Sequence, residues 1–487
     1  MRTLFWYDYE TTGLNPRVDR IVQFGGLRTD EALNPVGDPL MLYCRPTHDV
    51  LPSPESCLIT RITPALAELR GVNESEFAKH ILAALTHAGT CAVGYNSIRF
   101  DDEFTRFLLY RNLYDPYERE WQNGNSRWDL LDVVRAAWAL RPEGLKWPKH
   151  PDGKPSFRLE HLTEINGIAH GQAHDALADV RATIALAHRI RTAQPKLFDF
   201  LYTHRRKDEL LRLIDFSAAR PLVHCAGFYP LERGFLAPVL PVCGHAHYKS
   251  AVWFFDLTND PAEWVERSTD ELRTLLMKQN KETRVPLQLV HLNKCPVISP
   301  ISVLVGAPQE RHGIDLFTIQ RRAEALRKHP NFSAKVKRIL LTLPEQKAVD
   351  VDQALYSGGF LKQRDRLTLA GLHAISGESL GKHQYVFDDP RLEEMLFRFR
   401  ARNYPESLTA EERRRWNDIR CQQLGRVGER PDGGLSWQMF SQQIETHLRR
   451  EELTELDRNL LVELRSYGRD LMERIGFTAF DPPNTTI

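Results

Sequence analysis

Apolar and polar positions follow two different periods along the chain. Short apolar runs at Thr3–Tyr9, Ile21–Leu27, Leu40–Cys44 and Thr90–Tyr95 predict strands, and repeats at helical spacing predict helices over Glu76–Ala88, Asp102–Tyr110, Trp128–Leu140 and Asp175–Ile190. Three strands, a helix, a strand and further helices imply a mixed sheet covered by helices. The Pro/Gly-rich stretch Trp147–Ser156 interrupts them and reads as a loop. After Gln194-Pro195 the texture changes: Pro221–Gly227, Phe235–Val242, Ser250–Leu257 and Val285–Leu292 are short, rich in Val, Leu and aromatics, and broken by Pro, Gly and Asn, as suits a small barrel or curled sheet. From about Val349 helix formers dominate, and Thr409-Ala-Glu-Glu412 is a capping box opening an Arg-rich helix, Glu411–Gln422.

Composition places this pattern among multidomain globular proteins, with 487 residues, 42% of them hydrophobic and 26% charged. The seven cysteines are odd in number and scattered with no C-x-x-C pair, which predicts free thiols in a reducing compartment rather than a disulfide framework. The opening MRTLFWYDYE carries acids by its eighth residue and shows neither the basic n-region nor the long apolar h-region of a secretory signal, and no run of about 18 apolar residues occurs. The expectation is a soluble cytoplasmic protein with no membrane partner.

Candidate chemistry lies in three acidic segments. Asp8 and Glu10 stand two apart in the first strand, so the period of two puts both carboxylates on one face. Taken alone, an edge strand with a wet polar face explains them as well as a site does. Asp101-Asp102-Glu103 follows the strand Thr90–Tyr95 after the link Asn96–Phe100; a helix start accounts for one or two of these acids, not all three. His174 and Asp179 flank the entry to the helix that begins near Asp175, a natural N-cap. Four carboxylates from three elements make an all-oxygen site for hard cations such as Mg²⁺ or Mn²⁺, and an imidazole beside them can take a proton from water. That is the equipment of two-metal phosphodiester hydrolysis.

The order D-x-E, N-x-x-x-F-D, H-x4-D resembles the DEDD exonuclease superfamily, His subtype. Longer segments, Asp8–Gly13, Gly94–Glu103, Asn125–Asp132, Ser156–Leu162, Ala173–Asp179, Leu289–Pro296 and Arg400–Tyr404, are similar to the bacterial exonuclease I family and span most of the chain. The resemblance implies a processive exodeoxyribonuclease that degrades single-stranded DNA from its 3′ end, releases 5′-mononucleotides and serves DNA repair. It implies Asp8, Glu10, Asp101 and Asp179 as ligands of two Mg²⁺ ions, with Mn²⁺ as substitute, and His174 as general base. Glu10, Thr11, Asn96 and Arg158 would contact the nucleotide strand, while Asp102 and Glu103 remain helix-start residues. The implied architecture is a ribonuclease H-like α/β exonuclease domain over 1–194, an SH3-like β-rich domain over 195–347 and an all-helical C-terminal domain over 348–487, in a monomer associated with the nucleoid. The alternatives are a 3′–5′ exoribonuclease of the same superfamily and a non-catalytic single-strand clamp. The intact set of five acid and histidine positions separates the lead from the clamp.

The net charge of +1 conceals an asymmetry: residues 1–194 carry −3 and 195–487 carry +4, with +8 concentrated in Lys278–Arg338. That segment is a candidate for tracking a phosphate backbone. It is also a candidate for the acidic C-terminal tail of single-stranded-DNA-binding protein, which the resemblance implies as a partner. A single strand also needs flat stacking surfaces, for which Tyr7, Phe100, Trp121, Trp128 and Trp147 are candidates.

Overall fold

The computed structural model describes residues 2–171, 175–280, 284–339, 350–357 and 359–477. Its first sheet has five strands in the order β3-β2-β1-β4-β5. These are β1 (Thr3–Thr11), β2 (Ile21–Thr29), β3 (Leu40–Tyr43), β4 (Thr90–Gly94) and β5 (Ser126–Asp129). β1 runs antiparallel to β2 and parallel to β4, so it is the central strand and not an edge. Both of its faces are covered: Leu4 and Trp6 pack with Val93, Trp128, Val134 and Leu186, and Phe5, Tyr7 and Tyr9 with Phe24, Phe77, Ile81 and Phe104. A strand buried on both sides reads as a continuous apolar run, which is why its first residues show no alternation.

The helix expected over Trp128–Leu140 begins two residues later. Ser126–Asp129 forms β5, and Asp129 caps the helix Leu130–Leu140 by accepting from the Leu131 N–H at 3.0 Å. Asp175 caps the helix Ala176–Ala193 as the sequence predicts, its Oδ1 accepting from the Ala178 N–H at 3.0 Å.

The second sheet is antiparallel, in the order β10-β6-β7-β8-β9, formed by β6 (Leu222–Cys225), β7 (Leu236–Gly244), β8 (Ala251–Asp256), β9 (Leu287–His291) and β10 (Val297–Pro300). β10, ending in Pro at a sheet edge, escapes the apolar pattern because it is only four residues long. Helices Thr269–Lys278, Leu316–Arg327 and Pro330–Lys337 accompany this sheet, so the segment is richer in helix than its strand-like runs suggest. Beyond it the described residues form no strand; the longest helices there are Arg391–Asn403, Ala410–Leu424 and Glu455–Arg474. The capping box is formed as expected, Thr409 Oγ1 accepting from the Glu412 N–H at 3.1 Å and Glu412 Oε2 from the Thr409 N–H at 2.8 Å. No helix among the described residues is long and apolar enough to cross a membrane.

A buried charge network joins the first region to the last. Arg402 donates from Nε to Asp49 Oδ2 at 2.8 Å and from Nη1 to Asp352 Oδ1 at 3.1 Å. Arg20 reaches Asp49 at 3.2 Å, and Arg398 reaches Asp352 at 2.9 Å and Asp350 at 2.7 Å.

Candidate active site

The even positions of β1 face the core at Leu4 and Trp6, and the same face continues as Asp8 and Glu10 where the strand leaves it. Asp179 arrives from the first turn of the helix Ala176–Ala193. Asp8, Glu10 and Asp179 each offer an oxygen within 4.8 Å of the others. Two features hold the helix there. Gln23 on β2 accepts from the Ala176 N–H at 3.0 Å through Oε1. Gly25 pairs with Asp8 across β1 and β2, and a Cβ there would lie 2.5 Å from the Leu177 nitrogen, so the approach of helix to sheet requires glycine.

Asp101 and Asp102 are neighbours with opposite fates. Asp102 accepts from Arg119 and Arg127 at 2.6 Å each and from Tyr7 Oη at 2.8 Å. Burial works to raise its pKa, but Arg127 and Arg119 hold it below the usual carboxylate range. Asp102 is thus more than the helix-start acid the sequence suggests: it anchors a buried ion-pair cluster. Asp101 is raised instead, by burial first and by Asp102 next, and its buried Oδ1 has no hydrogen-bond partner among the described residues. Asp101 lies outside the group of three, yet after burial its charge is the strongest influence raising Asp8. The loop before it is held by Asp129, which accepts from the Asn96 N–H at 2.9 Å and the Ile98 N–H at 3.3 Å.

The acids repel one another. Burial, then Asp101 and Asp179, push Asp8 well above the ordinary range, and burial, then Asp8 and Asp179, push Glu10 up to about 10. Oxygen donors from separate elements, one buried oxygen with no hydrogen-bond partner among the described residues, and carboxylates that repel one another fit a hard divalent cation. A carboxyl whose pKa is higher in the folded than in the unfolded state binds its proton more tightly when folded. Its contribution is therefore fully favourable below the unfolded value and is lost as pH climbs toward the folded one. In EDTA the melting temperature is expected to fall between about pH 5 and about pH 8, and an excess of divalent cation to raise it more at the upper pH. Differential scanning fluorimetry checks this; an equal cation shift at both pH values would contradict a cation shared by these acids.

Of the remaining predicted residues, His174 lies outside the described residues. Thr11 ends β1 and donates to the Gly13 carbonyl at 2.7 Å. Asn96 sits at φ 65°, immediately after Tyr95, whose hydroxyl donates to the Phe157 carbonyl at 2.5 Å; this brings the segment before Arg158 beside the Asn96 loop. The Arg158 side chain is 69% exposed. Two stacking candidates fail: Tyr7 and Trp128 are 2% and 3% exposed, because both fill the core. Trp121, 63% exposed, remains available. In the basic segment, Arg322 donates to the Leu257 and Thr258 carbonyls and Lys335 to the Val265 carbonyl, so part of that charge holds the fold together. Sequence reasoning missed Gln23, the one polar residue in the apolar run Ile21–Leu27, and His170, whose Nε2 lies 2.5 Å from Asp179 Oδ1. The spacing H-x3-H with His174 was its only signal.

This carboxylate cluster, carried at the end of a central strand in a mixed sheet, has the oxygen donors that metal-dependent phosphodiester hydrolysis needs. Residues 5–187 match the family described as Exonuclease, 205–341 the Exonuclease I SH3-like domain and 349–471 the Exonuclease I C-terminal domain. Exodeoxyribonuclease I of Escherichia coli K12 is 44% identical over 425 residues, 86% of this chain and 89% of its own. The exonuclease I of Methylocaldum szegediense, moderately thermophilic, superposes with a TM-score of 0.91 at 45% identity, covering 97% of this chain and 100% of that one. E. coli exonuclease I bound to a dA16 oligonucleotide superposes at 0.90, with 40% identity and the same coverage. A zinc-bound form of the E. coli enzyme with single-stranded DNA gives 0.89, and an SSB/exonuclease I structure with an inhibitor gives 0.88. The chain belongs to the exonuclease I family.

Proposed function

We propose that this chain hydrolyses single-stranded DNA processively from the 3′ end, releasing 5′-mononucleotides, with Mg²⁺ held by Asp8, Glu10, Asp101 and Asp179. The observation that carries this is the convergence of Asp8, Glu10 and Asp179 within 4.8 Å, with Asp101 raising Asp8 and having a buried Oδ1 with no hydrogen-bond partner among the described residues. Bound there, divalent cations would lower the pKa of the attacking water and offset charge on the departing oxygen. His174, adjacent in sequence to the Asp175 cap, takes the proton from that water as general base. Glu10 and Thr11 meet the terminal nucleotide, and Asn96 and Arg158 meet the strand behind it. The E. coli relative bound to dA16 supports DNA as the polymer.

The SSB/exonuclease I structure supports a second element of this reading. The basic stretch Lys278–Arg338 takes the acidic tail of single-stranded-DNA-binding protein. The enzyme acts as a cytoplasmic, nucleoid-associated monomer whose three domains divide near residues 194 and 347.

Matched DNA and RNA oligonucleotides, labelled internally and incubated with Mg²⁺ or with EDTA, test the substrate and the metal together. Shortening of the DNA in Mg²⁺ alone, with RNA far slower, is the expected result. Equal or faster loss of RNA would overturn the substrate, and cleavage in EDTA would overturn the metal.

A further inference from the structure

The ring of His170 ties Asp179 to a different helix. Its Nε2 lies 2.5 Å from Asp179 Oδ1, and its Nδ1 lies 3.0 Å from Oγ1 of Thr163, on the helix Leu159–Ile165. A carboxylate can only accept, so the ring donates to Asp179 from Nε2, while Thr163 Oγ1, itself a donor to the Leu159 and Glu160 carbonyls at 3.0 and 2.9 Å, holds the far side of the ring at Nδ1. The two side chains are 10% and 17% exposed, so water competes little for this bond. The helix that carries Asp179 does not need it: Asp175 caps its first turn and Gln23 receives the Ala176 N–H. What the ring constrains is the side chain of a single acid.

We infer that His170 is a positioning residue that fixes the carboxylate of Asp179 and thereby sets the affinity of the three-acid cluster for a divalent cation. This rests on the reading of Asp179 as a metal ligand. Hydrogen-bond partners of ligating groups typically contribute about 10- to 100-fold to metal affinity. The probe is Mn²⁺, titrated by calorimetry into the full-length protein without DNA, at one pH. His170→Ala is expected to raise the Mn²⁺ dissociation constant by about 10- to 100-fold. His170→Gln, whose amide N–H can reach the same oxygen, is expected to recover most of that loss, and Thr163→Val to show a smaller loss than His170→Ala. Asp179→Ala separates the two levels of the idea. If it binds Mn²⁺ as the parent does, the metal reading of Asp179 fails, and this inference with it. If Asp179→Ala loses Mn²⁺ while His170→Ala matches the parent, only the positioning role falls. Equal losses in His170→Ala and His170→Gln would also overturn it, since the ring would then act by bulk and not by its N–H.

Discussion

Asp179→Ala is expected to lower kcat for nucleotide release by roughly 10³-fold or more, while leaving single-strand affinity in EDTA nearly unchanged. The expectation rests on where the acid stands. Asp179 is the only member of the 4.8 Å group that does not come from β1, so its removal leaves two carboxylates on one strand facing an open side. A divalent cation held by these acids would lose its ligand from the helix, and with it part of the several kcal/mol of charge stabilisation that metal ions supply to a phosphoryl centre. The fold itself is not at risk. Asp179 repels both Asp8 and Glu10 but also accepts from His170, and these contributions oppose, so in EDTA the variant is expected to melt close to the temperature of the parent. Release from a labelled oligonucleotide in Mg²⁺, anisotropy in EDTA and a metal-free melt distinguish the outcomes. Retained turnover would remove Asp179 from the site, and lost binding in EDTA would show that it acts on the strand.

Arg402→Ala carries the largest expected cost in stability, about 3–5 kcal/mol, because it strips a partner from two buried carboxylates at once. Its side chain is 2% exposed, against 4% for Asp49 and 9% for Asp352. Burial alone would raise both acids; Arg402 and Arg20 hold Asp49 low, and Arg402 and Arg398 hold Asp352 low. Depressed carboxylates stabilise the fold above their unfolded pKa, near 3.9, and that contribution disappears as pH falls through the folded values. The parent should therefore lose stability below about pH 4, and Arg402→Ala should lose less over the same interval because part of the coupling is already gone. The network joins Arg20, Asp49 and Glu74, which lies 3.8 Å from Arg20, to Asp352, Arg398 and Arg402, so urea unfolding of the variant is expected to split, the C-terminal helices separating first. A single transition displaced by under about 1 kcal/mol would mean that the junction is held by packing instead.

The sequence carried the local facts of the site and not the relational ones. The shared face of Asp8 and Glu10 follows from strand geometry, and the caps at Asp175 and Thr409 from the chemistry of unpaired N–H groups, so each was legible. β5 was not, because four strand residues run directly into an apolar helix and Asp129 serves as the last residue of one and the cap of the other. Helix-start chemistry alone does not tell Asp101 from Asp102; only the N-x-x-x-F-D resemblance singles out Asp101, and it leaves the physical reason unseen. The difference is made by Arg119 and Arg127, 17 and 25 residues away, which neutralise one acid and leave the other open. The central position of β1 is a property of strand order, and no pattern within nine residues encodes it. His170 was hidden for the same reason: its meaning depends on a threonine and an aspartate on two different helices.

Gly25 gives the nuclease centre a mechanical tolerance. The helix bearing Asp179 rests directly on bare backbone opposite Asp8, leaving no room for even a methyl group between them. The separation of Asp8 and the helix bearing Asp179 is therefore set by main-chain contact, which is stiff, and not by side-chain packing, which yields. Residue 25 works as a shim of zero thickness: the dimension of the reaction centre is written at a position that has no side chain and takes no part in the chemistry.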